Sequence, residues 1–154
     1  SDYFNSLCFI PVAVSYEFDP NDLFKANELY AIKIQQKYIK TDKEDLNSIA
    51  NGISGQKGLV NLNIGSPINF IDNSYEACAQ LISRSILDLY QLQPSNFAAC
   101  EIQNIKHTLE CNFSEEQIDF AKEYLETRTK GLEPGIKALL LEQYSNPVMQ
   151  KEAL

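Results

Sequence analysis

A single histidine, His107, serves the whole chain. That scarcity excludes any multi-histidine metal centre and leaves one imidazole as a possible base. Basic residues are also in short supply, with 13 Lys plus Arg against 21 Asp plus Glu in 154 residues and a formal net charge of −8. The deficit is spread evenly: 11 acidic against 7 basic residues in 1–93, and 10 against 6 in the remainder. With no basic arm or patch, electrostatic nucleic-acid binding is not expected. Long apolar runs are missing too. The longest, Leu7 to Val14, is eight residues broken by Pro11, whereas a membrane-spanning helix needs about 20. The opening residues carry neither a charged n-region nor a cleavable apolar h-region, so no signal peptide is expected. Cys8, Cys78, Cys100 and Cys111 are irregularly spaced with no C-x-x-C pair, a usage that fits reduced cytosolic thiols better than a disulfide framework.

What remains is ordinary globular material. Hydrophobic residues make up 44% and charged residues 22%, enough for one domain with a real core. Leu7 to Ser15 is nearly continuous apolar sequence, which predicts a strand buried on both faces, as in the middle of a parallel or mixed sheet. Pro11 within it implies a bulge or an edge-facing position. Asp19-Pro20 supplies a helix start, and Leu23, Ala26, Tyr30, Ile34 and Tyr38 recur at helical spacing for about five turns. Thr41-x-x-Glu44 reads as a capping box for a short helix ending near Gly52. A glycine-rich loop over 51–58 leads into a half-buried strand, Leu59 to Ile64, closed by Gly65, Ser66 and Pro67.

Four helices follow in this reading. Asn73 and Glu76 cap the first, with Cys78, Leu81, Ile82, Ser85, Leu89 and Leu92 on one side. Ser95 opens the second, to about Cys111. Ser114-x-x-Gln117 caps the third, to about Lys130, and Glu133 to Tyr144 is the last. The expected fold is therefore α/β, a partial sheet of about two strands with flanking helices and an all-helical tail, divided as 1–93 and 94–154. Two strands make a poor sheet alone. The chain also starts at Ser1 and runs almost at once into an apolar strand, which suggests a cut inside a longer protein, with the missing strands upstream.

Candidate chemistry is sparse. A helix through 95–111 would align Cys100, His107 and Cys111 on one face with Asn104 between them. One helix cannot surround a zinc ion, however, and no second Cys/His pair exists, so no metal site is expected. The loop from Gly52 to Gly58 holds Lys57 beside bare amides, a phosphate-binding arrangement in principle. Its spacing matches neither the Walker loop nor the dinucleotide fingerprint, and a turn entering a strand is the simpler reading. Gly-Ile-Ser-Gly does not fit a nucleophile elbow. Asp42, Glu44 and Asp45 suit a helix N-terminus. Lys25 and Lys57 read as solvated surface ahead of phosphate ligands.

The segment Ile10 to Tyr30, IPVAVSYEFDPNDLFKANELY, resembles the stretch that follows the catalytic motifs in bacterial glycerolipid acyltransferases of the lysophosphatidate and glycerol-3-phosphate type. Ile10, Pro11 and Val12 match an apolar-Pro-Val core in the family's fourth block. The likeness continues through Tyr16-Glu17-x-Asp19-Pro20-x-Asp22, Lys25-Ala26, Glu28-Leu29, Glu44-Asp45-Leu46 with Ser48-Ile49, Gly52-Ile53 with Gly55, Lys57-Gly58 and Ile64-Gly65-x-Pro67-Ile68. It returns at Tyr144-Ser145-Asn146-Pro147-Val148.

The resemblance implies phospholipid biosynthesis: transfer of a fatty acyl group from an acyl thioester, on coenzyme A or acyl carrier protein, to a lysophospholipid or glycerol-phosphate hydroxyl. It implies no cofactor. Ile10, Pro11 and Val12 would form a wall of the substrate site. The family's H-x-x-x-x-D motif is absent, because Asn112 stands five residues after His107, and His107 lies after the fourth block instead of before it. No catalytic residue is therefore expected in this chain, which would be an inactive C-terminal portion. The implied location is cytoplasmic, peripheral to the inner face of the membrane, with membrane contact through the missing N-terminal part. The competing reading is a non-catalytic helical interaction module that self-associates through an exposed sheet edge.

Overall fold

The computed structural model describes residues 2–72 and 74–154. Along the chain lie helix α1 (Asp2–Ser6), strand β1 (Val12–Tyr16), helices α2 (Asp22–Gln35) and α3 (Glu44–Ser54), strand β2 (Val60–Ile64), and helices α4 (Tyr75–Leu89), α5 (Pro94–Ile102), α6 (Glu115–Thr129) and α7 (Pro134–Glu152). Among the described residues the sheet has two strands, and the fold is a mixed α/β arrangement, mostly helical, ending in four helices.

The sheet is antiparallel, with Val12 opposite Ile64 and Tyr16 opposite Val60. This corrects the expectation of a strand buried on both faces. Burial alternates along β1: Ala13 and Ser15 point inward, while Val12, Val14 and Tyr16 point out. An unbroken apolar run here therefore marks two different surfaces, one covered and one open. Backbone pairing extends beyond the strands, from Ile68 N–H to the Phe9 carbonyl at 2.8 Å to Phe18 N–H to the Lys57 carbonyl at 2.9 Å. Pro11 sits just ahead of β1 on an edge strand, where its missing N–H costs nothing; its carbonyl accepts from Gly65 N–H at 2.9 Å.

The core belongs to the helices. α5 lies against both α6 and α7, and α7 also packs on α2. Seven successive α5 residues, Pro94 to Cys100, are buried. Ala98, Ala99 and Cys100 meet Leu125, Leu140, Leu141, Val148 and Ala26 in one cluster. Small side chains on α5 allow α6 and α7 to approach closely.

Several element boundaries differ from those expected. α2 stops at Gln35, short of Tyr38, because Gln36 adopts a left-handed conformation (φ 56°) with its N–H on the Ile32 carbonyl. α3 runs to Ser54, so the first part of the supposed 51–58 loop is helix. Its N-cap is Lys43, and half of the expected box is present, from Thr41 N–H to Glu44 Oε2 at 3.2 Å. The expected Asn73 cap lies outside the described residues; Ser74 caps α4, accepting from Ala77 N–H at 3.3 Å. α4 ends at Leu89, before Leu92. α5 ends at Ile102 instead of Cys111, and Asn104 turns left-handed (φ 56°) just after it. α7 continues through Pro147 to Glu152, since losing one i→i−4 bond does not break a helix held by a packed face. α6 keeps its boundaries, with the Ser114–Gln117 box closed in both directions.

Gly58 has φ +61°, and a side chain there would meet Glu17 Oε2, with Glu17 Cβ and Phe18 Cδ2 each at 2.9 Å. Strain and overlap act together at this position. Gly58→Ala is expected to lower unfolding stability by about 2 kcal/mol; chemical denaturation followed by circular dichroism checks it, and an unchanged midpoint would contradict it.

Candidate functional site

The outer face of the sheet is built from three cross-strand apolar pairs, Val12–Ile64, Val14–Leu62 and Tyr16–Val60. All six side chains are 39–66% exposed. A contiguous apolar surface of this kind is the usual mark of an interaction site. The inner face is fastened to the helices by polar contacts. Gln93 Nε2 donates to Ser15 Oγ at 2.9 Å, the Ser95 hydroxyl donates to the Glu17 carbonyl, and the Glu17 carboxylate accepts from Leu59 N–H at 2.9 Å. The sheet therefore has one anchored side and one free side.

At one end of the free side, Val14 and Tyr16 border a cavity of about 120 Å³ completed by Asp19, Asp22, Tyr90, Asn96, Gln143 and Tyr144. Its floor is a hydrogen-bonded junction. Asp22, wholly buried at the start of α2, accepts from Arg128 Nη2 at 2.7 Å and Arg128 Nε at 3.0 Å, and Tyr144 donates its hydroxyl to Asp22 Oδ2 at 2.9 Å. The same hydroxyl accepts from Asp19 N–H at 2.9 Å, and Gln143 Nε2 reaches the Asp22 carbonyl at 3.1 Å. Asn96 Nδ2 donates to the Tyr144 carbonyl at 2.9 Å. Helices α2, α6 and α7 thus meet at one carboxylate, and α5 joins them through the Tyr144 carbonyl.

Burial and the Asp22 charge hold the Tyr144 hydroxyl well above its ordinary pKa. Burial, with the nearby Asp19, also raises the pKa of Tyr90. The cavity thus presents protonated phenols, amides and carboxylates, with its guanidinium neighbour already paired. Such a lining positions a polar group by hydrogen bonding.

The residues singled out by the sequence are not brought together. Pro11 is buried, Val12 faces outward on β1, and Ile10 is exposed ahead of it; none of the three lines the cavity. Lys25 pairs with Glu28 at 3.1 Å. Lys57 caps α3, donating to the carbonyls of Ile53 at 3.2 Å and Gly55 at 3.0 Å, a favourable place for a cation at a helix C-terminus. Asp45 is held by Lys40 at 2.8 Å and Glu44 by the Tyr38 hydroxyl. The alignment of Cys100, His107 and Cys111 on one helix is overturned, because the helix ends at Ile102. Cys100 is buried and its thiol is pushed up to about 11 by burial; Cys111 is exposed. His107 stands edge-on to Phe97, ring centroids 5.4 Å apart, with Nδ1 buried and unpartnered. No group of three or more His, Cys, Asp or Glu side chains among the described residues could hold a metal ion. A wider cleft of about 560 Å³ lies between Asn63, Leu89, Phe97, Asn112, Phe113 and Lys151.

Comparison with family models, with curated proteins and with solved structures finds no match. Within the described residues, no helix is long and apolar enough to cross a membrane.

Sequence reasoning missed Arg128 as the partner of Asp22, since nothing local couples positions 106 residues apart. A faint signal existed in Tyr144 and Asp22, both within segments quoted for the family likeness.

Removing one partner of a buried ion pair strands the other. Asp22→Asn and Arg128→Met are each expected to cost about 3 kcal/mol, and the double variant about 1 kcal/mol or more less than their sum. Additive losses in a denaturation cycle would contradict this coupling. Tyr144 supplies a pH window. Its folded pKa is raised above the ordinary 10.0, so its proton-linked contribution is complete below pH 10 and declines above it. Tyr144→Phe is expected to flatten the alkaline loss of stability above pH 10, measured as denaturation midpoints at several pH values.

Proposed function

We propose that this chain is the distal portion of a glycerolipid acyltransferase. That enzyme moves a fatty acyl group from a coenzyme A or acyl carrier protein thioester to the hydroxyl of a lysophospholipid or glycerol phosphate. In the reaction the hydroxyl oxygen forms the new ester bond, the carbon–sulfur bond breaks, and the thiol leaves with the proton. A histidine within hydrogen-bond reach of the hydroxyl acts as base. That histidine and its aspartate come from a segment preceding these residues, and the present chain is inactive alone.

The reading is carried by the convergence at Asp22. Asp19 and Asp22, from the segment Tyr16-Glu17-x-Asp19-Pro20-x-Asp22, and Tyr144, from Tyr144-Ser145-Asn146-Pro147-Val148, are the pieces of the family likeness most distant in sequence, and they share hydrogen bonds. Further support comes from the open apolar face of the sheet, which additional strands of the same enzyme would border or cover. Ile10 and Val12, both exposed, would contribute to the substrate wall there, with Pro11 holding the turn beneath. The location in this reading is the cytoplasmic face of a membrane. A second reading, a non-catalytic interaction module, is favoured by the same open face when a second copy of the chain covers it.

The test is an acyl-transfer assay with labelled acyl thioester and lysophosphatidate, on the 154-residue chain and on the whole reading frame that encodes it. Turnover by the whole frame and none by the chain is expected. Turnover by the chain alone, or a frame with no H-x-x-x-x-D ahead of these residues, would overturn the proposal. A chain that is dimeric by size-exclusion chromatography while the whole frame is inactive would favour the interaction module.

A further inference from the structure

Helix α3 is amphipathic in the wrong sense. At about 100° per residue, Ser48, Asn51 and Gly52 share one sector, and that sector faces the start of α2. Asn21 Nδ2 donates to the Ser48 carbonyl at 3.1 Å, Asn51 Nδ2 donates to Asn21 Oδ1 at 3.0 Å, and a side chain at Gly52 would stand 3.3 Å from Asn21 Nδ2. Leu46, Ile49 and Ile53 fall about 100° to 160° away, turned from the protein. They are 68%, 60% and 78% exposed, and no α3 residue is buried. The polar side is docked and the aliphatic side faces out.

The charge around this stripe is opposite to that of the protein. Residues 33–57 carry five lysines against three carboxylates, whereas the rest of the chain carries 8 basic against 18 acidic residues. Two of those three carboxylates are engaged, Glu44 by the Tyr38 hydroxyl and Asp45 by Lys40. Lys33, Lys37 and Lys43 are exposed, and no ion pair engages them among the described residues. Ile34, at the end of α2, and Ile39, in the connection that follows, are also exposed.

We propose that α3, the end of α2 from Lys33 and the connection between them form a docking surface for an anionic lipid membrane, with Leu46, Ile49 and Ile53 entering the headgroup boundary and the lysines meeting lipid phosphates. One 11-residue helix offers too little area for a specific protein interface, which buries about 800 Å² per partner. A lipid surface demands no shape complementarity, only an apolar face and cationic flanks. The proposal does not depend on the acyltransferase reading, since it rests on exposure and charge alone.

The chain contains no Trp, so Ile53→Trp installs a single fluorescent reporter. Its emission is expected to shift to the blue with vesicles of phosphatidylcholine and phosphatidylglycerol in equal parts, and to stay unchanged with phosphatidylcholine alone. In co-sedimentation, Ile49→Asp with Ile53→Asp is expected to weaken anionic-vesicle binding about tenfold or more. Lys33→Glu, Lys37→Glu and Lys43→Glu together are expected to weaken it similarly, as is high salt. All five positions are exposed, and circular dichroism verifies the fold of each variant. Absence of vesicle binding, or binding indifferent to the paired aspartates, would overturn the proposal. So would a chain that ignores vesicles and forms dimers that the same pair dissolves, which would assign the stripe to a second copy.

Discussion

Asp22 is a carboxylate with no solvent, and most of the helical architecture follows from the need to satisfy it. Burying such a charge is costly unless hydrogen bonds meet it from several directions. Here the partners come from α6 through Arg128, from α7 through Tyr144 and from the first peptide of α2 itself, where Leu23 N–H donates at 2.5 Å. Tyr144 then ties in Asp19, whose side chain turns the chain toward α2 by accepting from Asn21 N–H at 2.8 Å. Apolar contacts between helices tolerate sliding, whereas a bidentate guanidinium fork does not. The junction therefore sets how α2, α6 and α7 stand relative to each other, and the hydrophobic cluster fills the space so defined.

Around that fixed centre the molecule is markedly uneven. The α5–α6–α7 side is enclosed, with α5 buried almost throughout. The strand and α3 side presents apolar residues outward, at β1, β2 and the aliphatic stripe of α3. A globular chain normally spends its aliphatic residues internally. This distribution sets an enclosed helical interior beside open apolar surfaces on the strands and α3.

How much of this was legible in the sequence varied with the range of the interaction. The Ser114–Gln117 box sits within one turn of backbone and is legible in the sequence, as is the small sheet of about two strands that the described residues form. The end of α5 was not readable, because Ile105 and Leu109 continue a helical apolar pattern while packing against the core from irregular chain. Tyr38 kept the spacing of α2 yet lies beyond its end, drawn to Glu44 instead. The 7–15 run predicts a strand buried on both sides, because composition cannot distinguish a covered face from an open apolar one. Asp22 stands out only as part of the family likeness, the helix start being assigned to Asp19-Pro20, and its long-range partner Arg128 leaves no local trace. Ile10, Pro11 and Val12 lie at the strand's entrance, away from the Asp22 cavity.

The enclosure of α5 also bears on how this chain can change over time. From Pro94 to Cys100 each position touches protein on all sides, so replacement by a bulkier residue has nowhere to divert its added volume. The outward positions of α6, such as Glu116 and Glu123, carry no such restriction. Among descendants of this gene, the seven letters PSNFAAC should therefore drift slowest, and they offer a compact signature by which distant cousins could be recognised after the remaining resemblance has eroded.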